Sequence, residues 1–165
     1  MIFTIFKGFH FSNRFIYKLS EFFNTKTKMS YYVTFNETAI YTIDSVNQSA
    51  ENKLFGFSNG MHHTNSYRFA WNSLDGELHL FAYVYIDSIC VKKEIGIIPI
   101  NEELSLTIKL TGTKCIFTCV DRAGMIKQLI MDVKVDKVFG YKLWPYFGGK
   151  IKAPHTIKIQ LTKHE

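Results

Sequence analysis

The chain has 165 residues, of which 47% are hydrophobic and 16% are aromatic, with only 10 Gly and 3 Pro. This composition excludes a disordered or low-complexity protein, because such chains lack the apolar side chains that build a core. The length fits one domain, and we expect a single domain over residues 1–165. The net charge is +6, but the basic residues are spread along the chain. Without a dense basic stripe, we do not expect a nucleic-acid partner.

The N-terminal segment MIFTIF is apolar but lacks the order of a secretory signal. Lys7 follows the apolar run instead of preceding it, and no small-residue cleavage site is visible. The apolar runs end well short of the roughly 20 residues of a membrane helix. We therefore expect cytoplasmic synthesis without a Sec signal and no membrane span. Residues 1–28 are expected to form an N-terminal strand, then an irregular or short helical segment between 13 and 23.

The chain has three cysteines, Cys90, Cys115 and Cys119. On one strand, Cys115 and Cys119 would share a face at a separation of roughly 13 Å. A disulfide cannot span that distance. We expect buried free thiols, made in a reducing compartment.

Short segments of alternating hydrophobicity, separated by turn residues, follow one another along the chain. Early strands are expected at 2–6, 31–35 and 39–43, before a polar loop at 44–52. Later strands are expected at 66–72, 78–86, 88–95, 104–110, 115–120, 125–133, 141–147 and 155–161. Asp75-Gly76 is a typical hairpin turn. About ten strands with almost no helix predict an antiparallel two-sheet β-sandwich, with a closed barrel as the alternative.

The hairpin around Asp75-Gly76 has two chemically different faces. Between 78 and 86 the aliphatic residues fall on one parity, and the other parity holds His79, Phe81, Tyr83 and Tyr85. If Phe69 and Trp71 of the preceding strand join the aliphatic face, Arg68 shares the other face with the tyrosines. The alternative is that both faces are buried between sheets and the rings belong to the core.

A sheet face with tyrosines, an arginine and a histidine suits flat polar ligands. Aromatic rings stack on the C–H faces of sugars, while hydroxyl and guanidinium groups donate hydrogen bonds. We therefore predict a ligand-binding face for a glycan or a partner protein. Its candidate residues are Arg68, His79, Tyr83 and Tyr85, flanked by His62, His63, Tyr146 and His155.

The C-terminal part reads Tyr-Lys-Leu-Trp-Pro-Tyr-Phe-Gly-Gly over 141–149, then Ala-Pro-His over 153–155 and a final alternating strand. A late strand that ends at a Gly-rich bend, followed by a strand that returns to the start of the sheet, resembles concanavalin-like jelly rolls. That superfold includes legume-type lectins and several polysaccharide lyases. The segments 52–58, 62–63, 66–71 and 145–149 also resemble uncharacterised small proteins from bacteria and their tailed phages. The resemblance implies a jelly-roll fold.

The resemblance also raises the question of catalysis. A polysaccharide lyase needs a cation to neutralise the uronate carboxylate and a His or Tyr to move a proton. Those residue types are present, but the Gln-x-His strand of such lyases is missing. Paired glycosidase carboxylates and the spacing of a zinc site are missing too. We therefore assign no catalytic residue, no metal ligand and no cofactor.

The sequence thus predicts a non-enzymatic binding module with little helix. The first alternative is a structural or accessory subunit of a phage virion or another assembly, in which the chain would be virion-associated or a homo-oligomer. The second alternative is a polysaccharide lyase.

Overall fold

A computed structural model describes residues 1–13, 27–137 and 139–164, in which strands dominate. The eleven strands of these residues are β1 (Ile2–Ile5), β2 (Lys28–Phe35), β3 (Asn52–Ser58), β4 (Ser66–Leu74), β5 (Glu77–Ile86), β6 (Ile89–Ile98), β7 (Glu103–Thr111), β8 (Lys114–Val120), β9 (Ile126–Asp132), β10 (Lys142–Leu143) and β11 (Ile157–Lys163). Within the same ranges, a 3-10 helix spans Glu37–Ala39, and one α-helix, α1, spans Ser45–Gln48. No helix in these ranges is long and apolar enough to cross a membrane.

The strands form two antiparallel sheets. The six-stranded sheet has the order β1-β11-β2-β7-β8-β9, and the five-stranded sheet has the order β10-β3-β4-β5-β6. The predicted two-sheet antiparallel sandwich is therefore confirmed. In the first sheet, β11 pairs with both β1 and β2, so the last strand returns to the beginning of the chain as the sequence suggested.

The core lies between the two sheets and is rich in aromatic rings. Phe69 of β4 contacts Phe117 of β8 across the sandwich, with ring centroids 5.2 Å apart. Trp71 contacts Phe35 of β2 at 5.4 Å. The predicted inward parity of β5 is confirmed, because the side chains of alternate residues are buried in the core: Leu78, Leu80, Ala82 and Val84.

The predicted strand at 39–43 is wrong. The Asn36 side chain accepts a hydrogen bond from the Thr38 backbone N–H at 3.0 Å and caps the 3-10 helix there. An Asn cap favours a turn over continued pairing. The Tyr41 N–H then donates to the Ser73 hydroxyl at 3.3 Å instead of joining a strand. The polar loop at 44–52 contains α1, which is capped by Asp44.

The predicted strand at 141–147 is much shorter in the structure, where β10 has two residues. Pro145 has no backbone N–H to donate to a ladder, so pairing breaks there. Tyr146 resumes contact through reciprocal backbone hydrogen bonds with Lys53, at 2.9 and 2.8 Å. The helical segment expected between 13 and 23 falls almost wholly outside the described residues.

Cys115 and Cys119 are buried free thiols, as expected. Burial raises the pKa of Cys119 to about 11 and raises the pKa of Cys115 further. The expectation of burial is wrong for Cys90, which is exposed. Its strand, β6, is an edge strand of the five-stranded sheet, and Cys90 lies there opposite Tyr85, on the face turned away from the core.

Candidate functional site

The outer face of the five-stranded sheet brings several predicted residues together. Arg68 on β4 lies opposite Gly56 on β3 and opposite Tyr83 on β5. Tyr83 in turn lies opposite Lys92 on β6. Since Phe69 points into the core, its neighbour Arg68 points outward. The predicted sharing of one face by Arg68 and the tyrosines is therefore confirmed, and we call this surface the Arg68 face.

Arg68 is a deeply placed cation at the centre of this face. Only 7% of the residue is exposed, and within the described part of the chain its Nε has no hydrogen-bond partner. None of the ion pairs formed within residues 1–13, 27–137 and 139–164 includes it. Burial lowers the pKa of Arg68, and nearby Tyr83 and Tyr85 oppose the change. An arginine still stays charged, so this guanidinium has lost much of its water without gaining a carboxylate from the described residues.

The missing side chain of Gly56 gives Arg68 its resting place. A Cβ at position 56 would lie 2.7 Å from Arg68 Cγ and 2.0 Å from the Tyr67 carbonyl oxygen. Any other residue would displace the arginine or the neighbouring strand. On its other side, the guanidinium carbon lies 5.5 Å from the centre of the Tyr83 ring, which allows a cation–π contact. Arg68 thus lies across the sheet between a glycine and a ring.

Lys53 is a second cation beside Arg68. Its Nζ lies 4.4 Å from the centre of the Tyr83 ring and donates to the Glu51 carbonyl oxygen at 2.6 Å. Burial, followed by repulsion from Arg68, lowers the pKa of Lys53 to about 8. Lys53 is therefore mostly protonated at pH 7, and the face holds two neighbouring positive charges. Lys92 adds no free charge, because it pairs with the Glu51 carboxylate at 2.6 Å.

Aromatic and imidazole rings lie near Arg68 on the same face. The His63 ring stacks on Tyr85, with centroids 5.5 Å apart and an interplanar angle of 25°. The Tyr141 hydroxyl accepts from the His62 backbone N–H at 3.1 Å and lies 2.6 Å from His62 Nδ1. Burial, then Arg68, lowers the pKa of His62 to about 4. The His62 imidazole is therefore neutral at pH 7 and adds hydrogen-bonding capacity without charge.

Three predicted site residues lie away from this group. His79 shares the outer face but is four residues from Tyr83, roughly 13 Å along the strand, and contacts Glu94 at 2.8 Å. The Tyr146 ring stacks on His10 with centroids 5.2 Å apart. His155 Nε2 lies 2.8 Å from the Thr38 carbonyl oxygen. The structure thus groups Arg68, Tyr83, Tyr85, His62 and His63.

Lys53 and Tyr141 were missed from the sequence. A regular β3 would place Lys53 on the face of Phe55 and Phe57, which is the core face. An irregularity in the pairing between Lys53 and Phe55 changes the parity and turns Lys53 outward, as a β-bulge does. No residue type between Lys53 and Phe55 is one that predicts a bulge. Tyr141 contacts His62 from 79 residues away, which no local pattern could indicate.

No protein-family model matches the sequence, and a search of curated proteins finds no significant match. Among solved structures, an alginate lyase from Klebsiella pneumoniae has a TM-score of 0.63 at 12% identity, over 83% of this chain and 59% of that chain. The alginate lyase AlyC3 has a TM-score of 0.61 at 14% identity, over 99% and 73%. This chain thus spans less than two thirds of the Klebsiella enzyme.

A third structure is the CBM2 module of the evolved Dit protein of Lactobacillus casei BL23 phage J-1. Its TM-score is 0.50 at 11% identity, over 84% of this chain and 63% of that chain. At such identities the likeness concerns the fold alone. The chain therefore has a β-sandwich fold that is shared with alginate lyases and with a carbohydrate-binding module of a phage protein.

Proposed function

We propose that the Arg68 face binds an acidic glycan, with a uronate carboxylate paired to Arg68. The observation that supports this most is the buried guanidinium without a carboxylate partner among the described residues. Leaving a charge desolvated and unpaired costs free energy. A planar carboxylate is the ligand that recovers most of that cost, because it accepts two parallel hydrogen bonds from a guanidinium.

The surroundings of Arg68 favour a sugar over an acidic peptide. The stacked pair of His63 and Tyr85 offers a flat surface to the C–H face of a sugar ring. Neutral His62 and the Tyr141 hydroxyl can exchange hydrogen bonds with sugar hydroxyl groups. The fold shared with alginate lyases and a carbohydrate-binding module is consistent with a sugar ligand, but the proposal rests on the residues of the face.

A glycan array tests the proposal. We expect retention on uronate-containing polysaccharides and no retention on neutral ones. Tyr85→Ala is expected to weaken binding by roughly 2- to 10-fold, the loss typical of one stacking ring. His155→Ala serves as the matched control, because His155 contacts the Thr38 carbonyl oxygen away from this face. Equal retention of Tyr85→Ala and wild type, or a preference for neutral glycans, would contradict the proposal.

Binding should also weaken as the pH rises through the pKa of Lys53. That pKa is about 8 in the free protein, and a bound carboxylate would raise it by stabilising the protonated amine. The affinity for the acidic glycan is therefore highest below pH 8, where Lys53 is protonated, and falls by roughly tenfold by about pH 10. Calorimetry at pH 8, in two buffers with different ionisation heats, should detect proton uptake. Lys53→Arg should flatten the pH profile; an unchanged profile would exclude this role for Lys53.

A lyase is the second candidate function, and neutral His62 favours it. The low pKa keeps the imidazole unprotonated at pH 7, which is the form that a general base requires. Arg68 could neutralise the uronate carboxylate and so acidify the adjacent C–H. Incubation with uronate polymers, followed by the ultraviolet absorbance of the unsaturated product, tests this. A rise that is lost in His62→Ala supports the lyase, and a flat trace from a protein that binds the same polymer supports a binding module.

The virion or assembly role stays a prediction. Size-exclusion chromatography with light scattering tests it first: a stable oligomer supports an assembly subunit, and a monomer supports a free binding module.

A further inference from the structure

We propose that Cys90 is a site for disulfide exchange with anionic disulfides, which the cations of the Arg68 face attract to the thiol. The group attached by this reaction would lie over that face. The inference is independent of whether the natural ligand of the face is a glycan.

The three cysteines of the chain differ sharply in accessibility. Cys115 and Cys119 are fully or almost fully buried, with 0% and 3% exposure. Burial also raises the pKa of both thiols, so their reactive thiolate forms are rare. Cys90 is exposed and has no disulfide partner. A reagent that meets the folded protein can therefore reach one thiol.

The position of Cys90 on the sheet puts that thiol at the edge of the Arg68 face. Cys90 lies opposite Tyr85 in the pairing of β5 and β6, and the Tyr85 ring contacts the Tyr83 ring, with centroids 5.9 Å apart. Cys90 is near enough to Arg68 and Lys53 to oppose the lowering of the pKa values of both cations. Arg68 is nine-tenths buried, and its Nε has no hydrogen-bond partner among the described residues. It is a second indication that an anionic group belongs on the face that Cys90 borders.

The reaction is a simple exchange. The Cys90 sulfur attacks one sulfur of the reagent, and its proton passes to solvent. A mixed disulfide forms, the original S–S bond breaks, and the second half of the reagent leaves as a thiolate. No further oxidant is required. An anionic reagent is concentrated near the thiol by the neighbouring cations, whereas a neutral reagent is not.

The experiment compares two aromatic disulfides on the native protein, the dianionic dithiobis(nitrobenzoate) and the neutral dithiodipyridine. We expect release of one equivalent of chromophore per chain. The ratio of the anionic rate to the neutral rate should exceed that of a free cysteine peptide by roughly tenfold at low ionic strength. Salt should reduce this excess, because it screens exposed charges beyond about 10 Å at 0.1 M. Cys90→Ser should lose the fast reaction.

Arg68→Gln and Lys93→Gln form a matched pair, since each removes one positive charge. Lys93 lies opposite Ala82, a core residue, in the register of β6, so it does not point onto the Arg68 face. Arg68→Gln should lower the rate ratio severalfold, and Lys93→Gln should leave it near the wild-type value. If the ratio of the anionic rate to the neutral rate equals that of the peptide and does not change with salt, the proposal is overturned. This comparison requires only the wild-type protein. A fast reaction that persists in Cys90→Ser overturns it as well.

Discussion

Arg68→Met is expected to remove acidic-glycan binding while leaving the protein at least as stable as wild type. Loss of a charge-assisted, two-pronged contact costs about 1.5–3 kcal/mol, which corresponds to roughly 10- to 100-fold in affinity. The same substitution is expected to raise the free energy of unfolding. Arg68 is buried, and no hydrogen-bond partner of its Nε lies in the ranges that the structure describes. A methionine of similar length removes the cost of burying the charge, a gain of about 1 kcal/mol.

This combination separates a binding residue from a structural one. Calorimetric titration gives the affinity, and denaturant unfolding gives the free energy of unfolding. Arg68→Lys is the matched control, because it keeps the positive charge but loses the planar guanidinium. Its affinity for the glycan should fall between that of wild type and that of Arg68→Met. Unchanged binding by Arg68→Met, together with a large loss of stability, would mean that the arginine serves the fold alone.

Phe69→Ala is expected to produce a large loss of stability, about 3–5 kcal/mol. Phe69 is fully buried and its ring joins both sheets, with centroid distances of 5.5 Å to Phe55 and 5.2 Å to Phe117. Removing it opens a cavity at the centre of the sandwich, and the paired strands around it cannot collapse freely to fill the space.

Phe81→Ala is the matched control for this prediction. Phe81 lies on the outer parity of β5, opposite Ala70, and is only partly buried, so its loss should cost about 1 kcal/mol. Denaturant unfolding of the two variants measures the difference. Equal losses for Phe69→Ala and Phe81→Ala would contradict the inward and outward assignment of the two faces.

The strand parity of the central hairpin could be predicted from the sequence. Leu80 and Val84 alternate with Tyr83 and Tyr85 over ten residues, and a slip of one position would turn every aliphatic side chain outward. Because the aliphatic side chains are buried, the tyrosine side chains must point to the opposite face of the sheet. Once Phe69 is placed with the aliphatic set, Arg68 must face the tyrosines, and the register confirms that it does.

Other features depend on contacts that no local pattern encodes. Lys53 reaches the Arg68 face through a bulge in β3, and Tyr141 reaches His62 across the fold. The exposure of Cys90 depends on the register that places it opposite Tyr85 on the outer face, and on β6 being an edge strand of its sheet. Segment 39–43 alternates like a strand, but the Asn36 cap turns the chain before it.

Calorimetric titration of the wild-type protein with a galacturonate oligomer and with its fully methyl-esterified form tests the central claim most directly. The two ligands have the same rings and differ in the carboxylate charge that Arg68 is proposed to bind. We expect the acid to bind at least roughly tenfold more tightly than the ester, the value of one charge-assisted contact. Equal affinities, tighter binding of the ester, or no binding of either ligand would contradict this account.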